Sequence, residues 1–141
     1  MRGCGRSGSR TPSETVSNTF PLGEPVIRTI AMPADTNPSG DIFGGWLMAQ
    51  MDLAGGSAAA RHARGRTVTV AVDSMSFLRP VKVGDEVSLF ARVVGTGRSS
   101  IRVAVEAWRR PLLGEMSKVT EATFVFVAIG ADGRPRPLET A

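Results

Sequence analysis

The longest apolar stretch of the chain runs from Ile42 to Ala60 and contains one charged residue, Asp52. Its length and composition predict a single helix from about Phe43 to Ala63. A surface helix has a charged face, whereas a helix that is apolar on all sides is buried. We therefore expect this helix to lie inside the fold and to hold one carboxylate near its middle.

Small residues surround that carboxylate on the predicted helix. Positions three and four residues away are helical neighbours, and for Asp52 they include Gly55 and Gly56. A glycine inside a helix costs roughly 1 kcal/mol relative to alanine, so this pair suggests that another backbone or a ligand comes close. A buried carboxylate is normally paired, protonated or functional. Two interpretations stay open: Asp52 is bound to a backbone amide or an arginine, or it does chemistry.

After the helix, the period of the apolar residues changes to two. The alternation over residues 67–77 predicts a strand with a bulge near Asp73 and Ser74, where the parity of the apolar positions shifts. Three further strands are separated by turn residues. They are expected around residues 87–93, 101–107 and 118–129, and a short strand over residues 25–31 precedes the helix.

This order of elements predicts an α+β fold. The short connections between the last four strands indicate an antiparallel meander, and a sheet and a helix bury their apolar faces when the sheet curls around the helix. We expect an antiparallel sheet of about five strands wrapped around one long central helix. Such a sheet has exposed edges, and pairing with a second copy is a common way to cover one. We therefore expect a homodimer.

The composition agrees with one soluble domain. The chain has 141 residues, of which 42% are hydrophobic and 21% charged. We expect a disordered extension rich in Gly, Ser and Arg over residues 1–20, a folded domain over 21–135 and a tail over 136–141. The N-terminus lacks an apolar signal segment, and Asp52, Gln50 and four glycines dilute residues 42–60 as a membrane span. We expect a cytoplasmic protein without membrane contact.

The net charge and the scarcity of cysteine and histidine limit the classes of ligand that the protein is expected to bind. Seventeen Lys+Arg and thirteen Asp+Glu give a net charge of +4, which suits an anionic small molecule at least as well as nucleic acid. The absence of tyrosine and of interleaved aromatic residues argues against nucleic acid. Cys4 and His62 are the only residues of their types, so we expect no disulfide framework and no metal site. His62 lies near the predicted helix C-terminus, where a cation complements the macrodipole.

Four motifs lie in order between Pro33 and Ser100. They are Pro33-x-Asp35-x-Asn37-x-x-Gly40-Asp41-Ile42-Phe43-Gly44-Gly45-Trp46 followed by Met51-Asp52, then Val68-Thr69-Val70-Ala71-Val72-Asp73-Ser74-Met75-x-Phe77, then Pro80-Val81-x-Val83-Gly84-Asp85, and finally Gly97-Arg98-Ser99-Ser100. In this order they resemble the acyl-CoA thioester hydrolases of the YciA and brain acyl-CoA hydrolase type. The resemblance implies the hotdog fold and hydrolysis of a fatty acyl-CoA thioester to a carboxylic acid and coenzyme A.

The resemblance also implies roles for individual residues. Asp52 matches the catalytic carboxylate, as general base or as nucleophile, and Asn37 matches the paired catalytic asparagine. Gly44 and Gly45 fall at the helix N-terminus, whose unpaired amides suit a thioester oxyanion. Within one protomer Asp52 is roughly 10 Å from those amides. In the family the catalytic groups of two protomers meet across a dimer interface, and trimers of dimers are common.

Coenzyme A is expected as part of the substrate, and no separate cofactor is expected. Arg98, Ser99 and Ser100 are either contacts for its phosphates or a solvated hairpin end. Met75 and Phe77 are either core or wall of the pantetheine channel. The acyl chain length is left open, and residues Asn37, Asp35 and Asp41 also fit plain loop and helix capping.

Two other functions compete with hydrolysis for this sequence. A hotdog hydratase or dehydratase resembles this fold but generally uses a catalytic histidine, and His62 lies at the wrong end of the helix. A non-catalytic hotdog module would bind acyl-CoA without turnover, and the presence of both Asp52 and Asn37 argues against it.

Overall fold

The computed structural model describes residues 23–138. A long helix, α1, and five strands form the domain. Their bounds are β1 Ile27–Ile30, α1 Gly44–Ala63, β2 Thr67–Val72, β3 Glu86–Thr96, β4 Ser100–Arg110 and β5 Ser117–Ala128, with a 3₁₀ turn at Pro33–Asp35. The predicted helix and the existence of all five strands are confirmed. The predicted N-terminal extension and residues 139–141 of the predicted tail lie outside the described residues.

The five strands form one antiparallel sheet in the order β1-β3-β4-β5-β2. The predicted meander is correct for β3, β4 and β5. It is wrong for β2, which lies at the sheet edge beside β5 and does not touch β3. The segment between Val72 and Glu86 is too long for a hairpin, and it carries the chain from one edge of the sheet to the far side. Strands β1 and β2 are therefore the two edges.

The curled sheet packs against one face of α1. The buried helix residues recur at spacings of three or four positions, with one adjacent pair, as expected for one face. They are Leu47, Met51, Ala54, Gly55, Ala59 and Ala63. The sheet covers them with apolar side chains from its three central strands, mainly Val87, Leu89, Ile101, Val103, Val105, Phe124 and Phe126.

The expectation that α1 is buried on all sides is wrong for the single chain. Met48 is 41% exposed and Leu53 is 60% exposed. One sheet can cover only one face of a helix, so the opposite face stays open even though its residues are apolar. The valines of edge strand β2 are exposed as well, Val70 to 55%. No helix within residues 23–138 has the length and apolar character needed to cross a membrane.

Strand β2 contains a bulge, but not where the sequence pattern put it. Its register with β5 shifts between Thr69 and Ala71, so Val70 is the extra residue, and the strand ends at Val72. Because Thr69 lies opposite buried Phe126, it is on the face toward the helix. A threonine, and not one of the alternating valines, therefore faces the helix at this point of the strand.

Residues 130–138 tie the end of α1 to the sheet. The Arg136 guanidinium donates hydrogen bonds to the Ala63 carbonyl (2.8 Å) and the Ile129 carbonyl (3.3 Å). It fills the space beside Gly65, where a Cβ atom would lie 2.7 Å from Arg136 Nη2. The last carbonyls of a helix lack intrahelical donors, so this arginine satisfies one of them and fixes the helix C-terminus next to β5.

At the other end of the sheet, Asp85 is the most buried carboxylate among residues 23–138. It is 4% exposed, and its Oδ2 accepts hydrogen bonds from Arg109 Nε (2.6 Å) and from the Lys82 amide (2.8 Å). Its carbonyl accepts the Ala31 amide (3.0 Å). One residue thus joins the turn before β3 to β4 and to the end of β1.

We expect Asp85→Asn to lower the free energy of unfolding by about 3 kcal/mol, because it leaves the mostly buried Arg109 guanidinium without its counter-charge. Urea unfolding of the variant and the wild type measures this. The matched control is Asp41→Asn, which breaks the exposed pair with Lys82 and should cost less than about 1 kcal/mol. Equal small effects of both substitutions would contradict the assigned role of Asp85.

Candidate functional site

Asp52 projects from the middle of α1 and meets Thr69 of β2. The Thr69 hydroxyl donates a hydrogen bond to Asp52 Oδ1 at 2.6 Å. Asp52 is partly buried rather than fully buried. The structural interpretation of the sequence expects a backbone amide or an arginine as its partner, whereas the partner is a threonine hydroxyl. Thr69 was not among the candidate site residues. Its one sequence signal is a hydroxyl in a strand whose alternate residues are valines.

A groove of about 420 Å³ runs between α1 and the start of β2. Asp52 and Thr69 line one part of it, Arg66 lines another, and Phe126 contributes from the sheet. The groove opens along the exposed edge of β2. A carboxylate held by a hydroxyl therefore faces a space that a ligand can enter.

The two adjacent glycines of α1, Gly55 and Gly56, have different surroundings. A Cβ atom at Gly55 would lie 3.1 Å from both Phe126 Cζ and Val105 Cγ2, which is tighter than ordinary packing. Gly55 therefore allows the helix to approach the sheet. Gly56 lines the groove, and a Cβ there would lie 3.6 Å from Phe126, an ordinary contact. The atoms that come close at Gly55 are thus side chains of the sheet and not a backbone, and the approach of a ligand at Gly56 stays a prediction.

The N-terminus of α1 has no side-chain cap. Phe43 occupies the capping position and offers no acceptor, so the Gly44 and Gly45 amides lack the partner that a polar cap would supply. The Phe77 ring lies over this end, with Cζ 3.2 Å from the position of a Cβ on Gly44. Gly44 and Phe77 also line a small apolar cavity of about 110 Å³. Phe77 is therefore not a core residue, since 47% of it is exposed, and its role as channel wall stays a prediction.

Asn37 closes the loop before α1. Its Oδ1 accepts hydrogen bonds from the amides of Ser39 (2.9 Å) and Asp41 (3.1 Å), as the capping interpretation expected. Its Nδ2 has no hydrogen-bond partner within residues 23–138, so it can donate to a ligand. Asp35 caps the 3₁₀ turn through the Met32 amide (3.0 Å).

A single chain does not bring together the four candidates for the reaction itself, which are Asp52, Asn37, Gly44 and Gly45. Asp52 lies about 12 Å along the helix axis from Gly44. The cavity at Gly44 and the groove at Asp52 share no lining residue, and Asn37 lines neither. In a single protomer the carboxylate is therefore separate from the asparagine and the helix N-terminus.

The remaining candidates lie away from Asp52. Met75 packs against the core, which agrees with one of its two interpretations. Arg98 and Ser99 form the turn between β3 and β4, and the Ser99 carbonyl accepts the Ala128 amide (2.9 Å). Ser100 begins β4. His62 is exposed in the last turn of α1. Among residues 23–138 no three potential metal ligands cluster.

Comparisons with known proteins agree with the fold and identify the family. Residues 39–113 match the family model described as the thioesterase superfamily. The acyl-CoA thioester hydrolase YciA of Salmonella typhimurium is 54% identical over 128 residues, covering 88% of this chain and 96% of the relative.

Two solved structures extend the comparison. The hexameric thioesterase of Yersinia pestis superimposes with a TM-score of 0.83 at 52% identity, covering 86% of this chain and 100% of that one. A hexameric hotdog fold thioesterase of Campylobacter jejuni superimposes with a TM-score of 0.80 at 40% identity, covering 83% of this chain and 91% of that one. The predicted hotdog fold is confirmed.

Proposed function

Since the chain belongs to the thioesterase superfamily and, within it, to the YciA-type acyl-CoA thioester hydrolases, we propose that it hydrolyses fatty acyl-CoA to a carboxylic acid and coenzyme A. One observation carries this proposal. Asp52 faces an open groove with one carboxylate oxygen held by Thr69, while Oδ2 has no hydrogen-bond partner within residues 23–138. That second oxygen can accept a proton from water.

In the proposed reaction Asp52 takes a proton from a water molecule as the water oxygen attacks the thioester carbonyl carbon. The carbonyl oxygen becomes an oxyanion, which the Gly44 and Gly45 amides stabilise at the positive end of α1. Collapse breaks the carbon–sulfur bond, and Asp52 returns the proton to the sulfur. Alternatively, Asp52 attacks the carbonyl carbon itself, and water then hydrolyses the resulting anhydride.

The separation within one chain requires a shared site. We propose that Asp52 and Thr69 of one protomer act with the helix N-terminus and Asn37 of a second copy. Two apolar surfaces support a homodimer: the open helix face at Met48 and Leu53, and the valines of edge strand β2. The Yersinia pestis and Campylobacter jejuni structures are hexameric, and we propose a trimer of dimers here.

The other expectations from the sequence remain predictions. Arg98, Ser99 and Ser100 as phosphate contacts, Phe77 as channel wall, the absence of a separate cofactor and a cytoplasmic location belong to this group. A hydratase would need a histidine at the reacting atoms. His62 lies about 15 Å along the helix axis from Asp52, which disfavours that alternative.

The direct experiment is steady-state hydrolysis of an acyl-CoA series, followed by release of free thiol. We expect turnover, with the preferred chain length given by the highest kcat/KM. Tight binding of acyl-CoA without thiol release would instead identify a non-catalytic binding module. If the protein neither binds acyl-CoA nor releases thiol, the proposed function is contradicted.

We expect Asp52→Asn to lower kcat by roughly 10²–10⁴ because it removes the proton acceptor. The variant keeps an oxygen that accepts the Thr69 hydroxyl, so the melting temperature should stay the same or rise and acyl-CoA should still bind. Thiol release and thermal unfolding measure the two effects. A variant that melts much earlier yet turns over normally would remove Asp52 from the mechanism.

Thr69→Val keeps the shape of the side chain and removes the hydrogen bond to Asp52. We expect kcat to fall about 10- to 100-fold, the range for a hydrogen bond to a charged group, since the carboxylate loses its orientation. Thr69→Ser keeps the hydroxyl and serves as the control, with activity near that of the wild type. Full activity of the valine variant would show that the hydroxyl is dispensable.

A shared site can be tested by mixing two inactive variants. Subunit exchange between Asp52→Asn and Asn37→Ala protein gives a mixed dimer with one intact site and one doubly altered site, because each site takes its residues from two chains. We expect activity to return to roughly a quarter of the wild-type value at statistical mixing. Mixed dimers that stay inactive would place all catalytic groups in one protomer.

A further inference from the structure

The loop that carries Asn37 is closed on itself, and we call residues 36–42 the asparagine loop. The Asn37 amide donates to the Asp41 carbonyl (2.7 Å), and the Asp41 amide returns a hydrogen bond to Asn37 Oδ1 (3.1 Å). The Ser39 amide donates to the same oxygen. Because backbone amides only donate, the side chain of Asn37 is fixed with its oxygen toward the loop and its NH₂ group outward. The position of that NH₂ group therefore follows the position of the loop.

A single ion pair ties the asparagine loop to the body of the domain. The Lys82 ammonium lies 3.2 Å from Asp41 Oδ1. Within residues 23–138, the other hydrogen bonds of this loop join it to itself or to Pro33. The side chains of Lys82 and Asp41 are 57% and 52% exposed, so dissolved ions can reach this contact.

Lys82 stands on a turn that is fixed to the sheet. Its amide donates to Asp85 Oδ2 (2.8 Å), and its carbonyl accepts the Asp85 amide (3.0 Å). The Arg109 guanidinium of β4 donates to the same carboxylate oxygen. The Gly84 amide donates to the Ala31 carbonyl at the end of β1 (2.8 Å). The Lys82 ammonium therefore reaches the asparagine loop from a base that two strands hold in place.

A loop that is bonded mainly within itself can shift as one unit without losing its internal hydrogen bonds. The contact between Lys82 and Asp41 opposes such a shift, because it joins the loop to a fixed turn. An exposed ion pair changes an equilibrium of this kind by at most about fivefold. Turnover is sensitive to such shifts, since a displacement of about 1 Å in a reacting group lowers the rate.

From these contacts we infer that Lys82 is a positioning residue, which holds Asn37 in place for the reaction through the Asp41 carboxylate. The inference rests on the proposed function, in which Asn37 acts with Asp52 of another protomer. Among the described residues Lys82 is bonded to neither of these two groups, so its effect on turnover has to pass through the loop.

The first experiment compares Lys82→Met with Arg102→Met in acyl-CoA hydrolysis. Lys82→Met removes the ammonium and keeps an unbranched side chain, while Arg102→Met removes the same charge from a comparably exposed ion pair with Asp73, outside the asparagine loop. We expect Lys82→Met to lower kcat about 2- to 5-fold with KM nearly unchanged, because Asn37 acts in the transition state. Arg102→Met should match the wild type, and Lys82→Arg should restore kcat.

Two further measurements separate positioning from a general effect on stability. The melting temperature of Lys82→Met should equal that of the wild type, since the Lys82 amide that holds Asp85 remains. At saturating acyl-CoA, rising salt should bring the kcat of the wild type toward that of Lys82→Met, because ions screen the exposed pair. The kcat of Lys82→Met should respond less to salt than that of Arg102→Met.

Subunit exchange shows whether Lys82 acts on the loop of its own chain. In the mixed dimer of Asp52→Asn and Asn37→Ala protein, the intact site takes its asparagine from the Asp52→Asn chain. Adding Lys82→Met to that chain should lower the restored activity about 2- to 5-fold. Adding it to the Asn37→Ala chain should leave the restored activity unchanged, although the two mixtures contain the same substitutions.

Each contrary result has a distinct meaning. If Lys82→Met and Arg102→Met both match a wild type that hydrolyses acyl-CoA, the inference about Lys82 fails and the proposed function stands. A raised KM with unchanged kcat, or equal losses in the two mixtures, would give Lys82 another role and overturn the inference. A wild type that does not hydrolyse acyl-CoA overturns the proposed function itself.

Discussion

The close contact between α1 and the sheet is the constraint on which the rest of the structure depends. At Gly55 the helix is so near Phe126 and Val105 that a single methyl group would press on both side chains. This proximity gives the helix one buried face and leaves the other face open. It also brings Asp52 within hydrogen-bond distance of Thr69 on β2.

The helix then divides into three regions with different chemistry along its length. Its start presents amides without a capping side chain at Gly44 and Gly45. Its middle carries a carboxylate, and its end is surrounded by arginines. Because a helix of this length is about 30 Å long, these regions cannot act on one atom within one protomer. Two antiparallel copies can place the start of one helix near the middle of the other, and this arrangement reconciles a thioesterase mechanism with the geometry of the single chain.

The bulge at Val70 contributes to the site as well. Without an extra residue, strand β2 would keep one parity along its whole length, with Thr69 and Ala71 on the same face. The bulge allows Thr69 to face the helix while Val72 also lies opposite an inward residue, Phe124. Bulges often lie next to active sites because they redirect a side chain without ending the sheet.

The sequence by itself determined the elements and their chemistry. The single charge in a long apolar segment identified Asp52, the alternating residues identified the strands, and the ordered motifs identified the family. These features are local in the chain, so periodicity and composition reveal them. The sequence could also show that Gly44 and Gly45 begin the helix, because turn residues and the loss of charge mark that boundary.

Only the tertiary structure decided how these elements are combined. Strand order depends on contacts between distant segments, so the meander prediction failed for β2. Burial depends on what covers each face, so an apolar helix proved half open. Thr69 became a site residue because its pairing opposite Phe126 of β5 places it on the face toward the helix, and Arg66 joined the groove because β2 starts beside β5. A local sequence pattern does not predict these contacts, because each one depends on the packing of residues that are far apart in the chain.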